Sequence, residues 1–347
     1  MPLVAYSKEW IIISYTLSSR SYKSILTPYE TQTAIGRLKR NFEDGLRAAL
    51  NLHRVSAPLF VEPMTGFNDD LSGKERPVAF EIPDAKTTAQ IVHSLAKWKR
   101  VALKKYGFSL GEGLYTDMNA IRRDEVLDST HSIYVDQWDW EKIISAEDRN
   151  LGYLKEAASA IIVTICDTQE HIQALYPALT HRFSRDVAFI TAQELENMYP
   201  ALTPDEREHE FTKENKTVCV MQIGGKLASG KRHGSRAPDY DDWALNADLI
   251  LWSDVLGEAV EISSMGIRVD EASLAAQLEE AECNHRRELL YHRMLLSGEL
   301  PLTIGGGIGQ SRLSMLILEK GHIGEVQVSV WDEGILDECE RRGISLL

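Results

Sequence analysis

Two β-rich runs, Asp248–Trp252 and Val260–Ser263, stand close together with no helical spacing in the interval between them. A parallel pair needs a long crossover, usually through a helix, so neighbours this close in sequence pair antiparallel. Further candidate strands are Ser132–Val135, Ala188–Thr191, Val218–Ile223 and Val326–Trp331. Helical spacing recurs over Leu154–Leu175, Ser273–Ser297 and Arg312–Glu319. Together these runs predict an α+β fold, a central and mostly antiparallel sheet flanked by helices.

Two more helices are predicted upstream. Over Tyr29–Leu52, the residues Ile35, Leu38, Phe42, Leu46 and Leu50 fall on one face. Around Thr88–Lys105 the apolar face is Ile91, Leu95, Trp98 and Ala102. Lys97, Lys99, Arg100, Lys104 and Lys105 charge that helix, and for most of them the simplest reading is a solvated face. Between the two, Arg54–Val61 is strand-like, but Pro58 removes a ladder donor and predicts an edge or interface strand. Met64–Gly73 is turn-rich, and Met1–Ser24 reads as a peripheral extension. No Pro/Ser-rich linker divides the remainder, so residues 1–28 are expected to extend a single domain spanning 29–347.

Composition removes several function classes. The 347 residues are 44% hydrophobic, as in a packed globular protein. The 38 basic residues against 52 acidic ones leave a net charge of −14, which disfavours nucleic acid as a partner. A local basic pocket for a small anion remains compatible with that charge. Cys166, Cys219, Cys283 and Cys339 are far apart and form no metal-binding spacing, as expected of buried thiols in a reducing compartment. Apolar runs are too short to span a bilayer, and the N-terminus lacks signal-peptide features. A cytoplasmic location without membrane attachment is expected.

Three stretches carry candidate chemistry. In Gly305-Gly-Gly-Ile-Gly-Gln-Ser-Arg312, glycines let backbone approach a ligand and Arg312 opens a helix where it can face phosphate oxygens. The stretch is neither a Walker loop nor a dinucleotide fingerprint. In Ala120–Asp139, two strands joined by a loop bearing His131 are expected to set Arg122 and Gln137 side by side. A guanidinium, an amide and carboxylates suit a nucleotide and a zwitterionic amino acid. In Asp248–Arg268, neighbouring strands bearing Asp248, Glu261 and Ser264 offer the hard oxygen donors that magnesium prefers.

In this order the motifs resemble those of class II aminoacyl-tRNA synthetases. Pro58 matches the interface-strand proline, Arg122–Asp139 the arginine-acidic hairpin, and Gly305–Arg312 the glycine-rich strand leading to arginine. Within that superfamily the chain resembles the ammonia-dependent asparagine synthetases of bacterial type, the aspartate–ammonia ligases. His93–Arg100, Gly111–Thr116, Tyr134–Glu141, Arg236–Trp243, Ser263–Asp270 and Thr303–Leu313 carry the match, which runs from about Tyr29 to the C-terminus. Two stretches depart from the pattern: residues 1–28 have no counterpart, and Tyr240–Ala247 is shorter than expected.

The resemblance implies ATP-dependent synthesis of L-asparagine from L-aspartate and ammonia through β-aspartyl-AMP, with release of AMP and pyrophosphate. It implies Mg2+ as cofactor and a homodimer formed through the Pro58 motif. Arg122 matches the arginine that grips the α-phosphate and activated carboxyl, and Arg312 the one near adenine and the γ-phosphate. His131 matches a loop histidine near the outer phosphates, and Asp241, Asp248 and Glu261 match nucleotide positions. Asp248, Glu261 and Ser264 surround the metal. Ser94, Lys99, Gln137, Asp139, Ser264 and Arg268 fall at aspartate-recognition positions. Because the β-carboxylate must react, aspartate is expected to bind turned around, with Lys99 and Arg268 on its α-carboxylate and Asp139 and Ser94 on its α-ammonium. Asp69, with Asp70 as the neighbouring alternative, matches the aspartate that attracts ammonium and takes its proton.

Two other classes fit less well. An enzyme that charges RNA needs an anticodon-binding barrel and a basic face. A non-catalytic relative predicts loss of Arg122, Glu261 or Arg312, and all three are present. Glutamine hydrolysis is disfavoured because Met1-Pro2-Leu3 offers no N-terminal cysteine nucleophile.

Overall fold

The computed structural model describes residues 22–69, 71 and 75–347, so most of the Met1–Ser24 stretch and Asp70 lie outside the described residues. The first helix, α1 (Pro28–Leu50), follows its spacing, burying Leu38, Phe42, Leu46 and Leu50. Thr27 caps it: Glu30 Oε2 accepts from the Thr27 N–H at 2.9 Å and Thr27 Oγ1 from the Glu30 N–H at 3.3 Å. Then come β1 (Leu52–Arg54), β2 (Phe60–Val61), β3 (Ala79–Ile82), β4 (Thr87–Ile91) and α2 (Ala96–Tyr106). A long hairpin, β5 (Gly113–Ile121) and β6 (Tyr134–Ile143), precedes α3 (Leu151–Leu175), β7 (Ala188–Thr191), α4 (Ala192–Met198) and α5 (Pro204–Asn215). The rest is β8 (Thr217–Met221), β9 (Asp241–Ser253), β10 (Glu258–Arg268), α6 (Glu271–Glu280), α7 (Leu290–Leu296), β11 (Thr303–Gly309), α8 (Gln310–Ile317) and α9 (Glu333–Arg342).

Eight strands form one sheet in the order β1–β5–β6–β11–β10–β9–β8–β7. Only the outer pairs, β1 with β5 and β7 with β8, are parallel. The runs that pointed to antiparallel pairing do so, with Val260 opposite Leu251. One face of the sheet is covered by α1 and α3, and the main core lies there, including Phe42, Trp138, Trp140 and Ile161. On the other face α2 crosses β6 and β11, with α6 and α7 beyond it.

The structure corrects several expectations. Arg54–Val61 is not one strand: β1 edges the large sheet, β2 joins a three-stranded sheet ordered β2–β4–β3, and Pro58 lies unpaired between them. The helix expected over Thr88–Lys105 is instead β4 followed by α2, and Lys97, Lys99 and Arg100 are buried rather than solvated. Ser273–Ser297 breaks after α6, where Glu282 takes φ 57° and a short 3-10 turn swings Arg286 inward to Asp239. Val326–Trp331 forms no strand; Val328 and Val330 are exposed and no ladder partner among the described residues reaches them. Arg122 and Gln137 are not side by side, since the Arg122 N–H donates to the Ile133 carbonyl while Gln137 sits opposite Met118.

Candidate active site

A cleft of about 520 Å³ opens on the α2 face, over β6, β10 and β11. Its shape follows from the period of two in β6. Trp138 and Trp140 point into the core; Gln137, Asp139 and Glu141 point the other way, opposite Gly309, Gly307 and Gly305 of β11. Those glycines make the room. A methyl on Gly305 would overlap the Glu141 carboxylate and lie 2.7 Å from Arg268 Nη2; one on Gly307 would overlap the Gln137 amide.

Beneath the cleft is a buried charge network. Lys99, reaching down from α2, pairs with Asp139, lies 3.9 Å from Glu141 and donates to the Gly306 carbonyl at 2.9 Å. Arg268 binds both oxygens of Glu141, with Nη2 to Oε2 at 2.8 Å, and pairs with Asp241. Thr303 Oγ1 adds a 2.7 Å hydrogen bond to Glu141. Burial opposes ionisation of Glu141, but Arg268 and Lys99 outweigh it and hold the carboxyl below its usual range. Burial also pulls the Lys99 ammonium below its ordinary pKa, against the attraction of Asp139. A second knot centres on Asp239, with Lys97 at 3.0 Å, Arg286 at 2.9 Å and His292 at 2.9 Å. There too burial is outweighed, chiefly by Lys97, and the carboxyl sits well below the usual range.

The rim is built differently. Arg122, just after β5, lines the cleft, and its buried Nε has no hydrogen-bond partner among the described residues. Arg312, opening α8, donates to the Glu261 carbonyl at 2.9 Å and to the Thr130 carbonyl at 3.4 Å, which holds it across the cleft. His131 is fixed by Asp128, whose carboxylate lies 2.8 Å from Nδ1.

The structure therefore brings Arg122, His131, Gln137, Glu261, Ser264 and Arg312 together on the cleft wall. Lys99, Asp139, Asp241 and Arg268 lie under its floor. Asp69 is also buried, and burial raises its carboxyl against the pull of Lys97; Oδ1 accepts from the Leu71 N–H at 3.0 Å. Ser94 precedes α2, where its Oγ accepts from the Ala96 N–H at 3.4 Å, and it does not line the cleft. Oδ2 of Asp69, of Asp139 and of Asp241 is buried with no hydrogen-bond partner among the described residues, leaving acceptor capacity for a ligand's N–H groups.

Asp248 and Ser264 are engaged by Arg236, through Nη2 to Asp248 Oδ1 at 2.6 Å and through Nη1 to the Ser264 hydroxyl. Burial pushes the Asp248 carboxyl up to about 7 against the pull of Arg236, with Glu261 and Glu208 adding repulsion. The donors Asp248, Glu261 and Ser264 are hard oxygens of the kind magnesium takes. Among the described residues no group of three or more His, Cys, Asp or Glu side chains is arranged to hold a metal. Glu141, Arg236 and Tyr240 were not singled out by sequence reasoning, although all three lie in stretches that carried the resemblance. Tyr240 lines the cleft; burial and the Asp69 carboxylate keep its phenol protonated.

Comparison with solved structures defines the class first. The asparaginyl-tRNA synthetases of Entamoeba histolytica and Pyrococcus horikoshii, both complexed with asparaginyl-adenylate, superpose with TM-scores of 0.64 at 13% and 15% identity. They cover 86% of this chain, which spans 66% and 68% of theirs. The fold is that of a class II aminoacyl-tRNA synthetase. Residues 29–343 match the aspartate–ammonia ligase family. The aspartate–ammonia ligases of Clostridium perfringens and Lactobacillus johnsonii are 58% identical over 329 residues and 55% over 332, each covering 94% of this chain and 98% of the relative. The chain belongs to the aspartate–ammonia ligase family.

Proposed function

We propose that this protein makes L-asparagine from L-aspartate and ammonia, activating the β-carboxylate with ATP and releasing AMP and pyrophosphate. The observation that carries this reading is the family match over residues 29–343. The cleft suits it chemically: cationic groups on the rim, and acid–base pairs under the floor.

In the first half-reaction a β-carboxylate oxygen attacks the α-phosphorus and the bond to pyrophosphate breaks. Arg122 faces the α-phosphate and Arg312 the outer phosphates with adenine, neutralising charge that grows in the transition state; His131 and Asp241 take the neighbouring nucleotide positions. Glu261 and Asp248 would hold Mg2+ beside Ser264, and the ion would supply charge neutralisation at the phosphates. Aspartate lies turned around, its α-carboxylate toward Lys99 and Arg268 and its α-ammonium toward Asp139 and Ser94, with the Gln137 amide alongside. In the second half-reaction Asp69 accepts a proton from ammonium. Ammonia then adds to the acyl carbon of β-aspartyl-AMP, the bond to AMP breaks, and the second proton on nitrogen passes to solvent, leaving the neutral amide. The buried carboxyl of Asp69 is a stronger base than an ordinary aspartate.

The same reading places the protein in the cytoplasm as a homodimer. Its four cysteines are free, in keeping with a reducing compartment. Leu59 and Phe60, next to Pro58, expose apolar surface at 50% and 44%, which suits pairing of two copies there.

The test is product analysis with aspartate, Mg-ATP and ammonium, omitting each in turn. AMP and asparagine should form in equal amounts and only with all components present. Pyrophosphate exchange without asparagine would instead point to a synthetase-like activity. Arg122→Ala should lower kcat/KM by roughly 10²–10³-fold without moving the unfolding midpoint.

A further inference from the structure

Arg236 has no part in the mechanism above, yet it lines the cleft with a side chain only 6% exposed. It holds Asp248 at 2.6 Å and the Ser264 hydroxyl at once. Its Nε lies 3.7 Å from Asp241 Oδ2, is buried and has no hydrogen-bond partner among the described residues. One guanidinium thus occupies two of the three oxygen donors that a divalent cation would use.

That arrangement sets a conflict. A dication on Asp248 and Ser264 would meet a fixed positive charge within a few ångströms. Like charges this close repel one another, and more strongly in a partly screened site than in open water. The arginine and the metal therefore do not share the pair. Asp241, the other anion within reach, is already paired with Arg268, so Arg236 leaves Asp248 only where a further anion receives it, because a buried guanidinium short of partners is costly. Phosphate oxygens are a fitting receiver, since they match the planar fork of arginine bidentately.

We propose that Arg236 is the resident counter-ion of the Asp248–Ser264 pair, and that a divalent cation displaces it only when a nucleotide phosphate is there to receive the guanidinium. This rests on the reading of the cleft as a nucleotide site. It makes metal binding conditional on nucleotide, so that the nucleotide-free cleft does not load a cation.

The probe is Mn2+ alone, titrated into the nucleotide-free protein and followed by electron paramagnetic resonance of the free ion. The unmodified chain should bind it weakly. Arg236→Gln should bind it at least tenfold more tightly, Arg236→Lys should stay near the unmodified chain, and adding Asp248→Asn to Arg236→Gln should abolish the gain. Arg236→Gln should also raise the KM for ATP while leaving that for aspartate within about twofold. Equal Mn2+ affinity in Arg236→Gln and the unmodified chain overturns the proposal. If Arg236→Gln does not fold, the unmodified chain still decides it: saturating AMP should tighten Mn2+ binding severalfold, and an unchanged affinity sinks the idea. Asparagine formation by the same preparation is measured alongside. Its presence with failed Mn2+ arms removes only this proposal, whereas its absence removes the parent reading.

Discussion

On the core side of β6, Trp138 and Trp140 are fully buried among apolar side chains, with Phe42 4.6 Å from the Trp138 ring. On the cleft side, Asp139 and Glu141 are almost as deeply buried, yet their neighbours are Lys99 and Arg268. The two rows alternate along one strand and draw on different physics. Burying a large apolar side chain stabilises by about 1.5–3 kcal/mol. Burying an ion pair returns little net stability, because desolvation offsets most of the attraction. The core row therefore keeps the sheet folded, and the cleft row holds charges in place at the expense of that stability.

Four experiments bear on this contrast. Glu141→Gln should cost about 3–5 kcal/mol, because it strips Arg268 and Lys99 of their shared acid, and should weaken aspartate use as well. Urea unfolding and the KM for aspartate check both effects, and a loss under about 1 kcal/mol would break the contrast. Trp138→Ala should cost a similar 3–5 kcal/mol through the cavity it leaves, but with kcat/KM per folded molecule within about twofold. Acid should act on the cleft side through its buried carboxyls. Asp239 and Glu141 are held below the usual carboxylate range, so their stabilisation is present above the unfolded values of about 4 and is lost as pH falls further. Asp239→Asn should flatten that acid limb by up to about 1.4 kcal/mol per pH unit, as read from unfolding at stepped pH. The smallest effect belongs to Lys104, on the same helix as Lys99 but in an exposed pair with Glu299 at 3.1 Å. Lys104→Ala should shift stability by less than about 0.5 kcal/mol, which thermal melts would resolve.

The same contrast explains what could be read from the sequence. The α1 face was legible because that helix has solvent on one side and core on the other, the condition under which a 3.6-residue apolar period means what it suggests. In α2 the condition fails. Lys97, Lys99 and Arg100 face buried partners instead of water, and a lysine in a sequence does not say which. Lys99 and Arg268 entered as candidates through the family resemblance, not through any pattern of charge. Glu141 escaped notice because its partners, Arg268 and Thr303, lie more than a hundred residues away. Arg236 sat in a matched stretch, but its pairing with Asp248 depends on how the chain returns from β8 to β9. Val326–Trp331 has the β-branched alternation of a strand, yet no described strand pairs with it and Val328 and Val330 face solvent. Gly305 and Gly307 were read as room for a ligand, whereas the nearest occupants of that room are Glu141, Arg268 and Gln137.

The register of β6 against β11 has a consequence for how this family can vary. Between Arg122 and Asp128 the tip of the β5–β6 hairpin can lengthen or shorten without disturbing the ladder behind it, so long as Arg122, Thr130 and His131 keep their places on the cleft. Losing or gaining a single residue within β6 would exchange its two rows. Tryptophans would then stand over Gly305 and Gly307, and the carboxylates would face α1 and α3. Neither row could adapt stepwise to that exchange, because the glycines cannot take up the side chains and the core cannot solvate the acids. Length changes should therefore accumulate at the hairpin tip and be absent from β6 and β11, and relatives that bind different substrates should differ there by substitution alone.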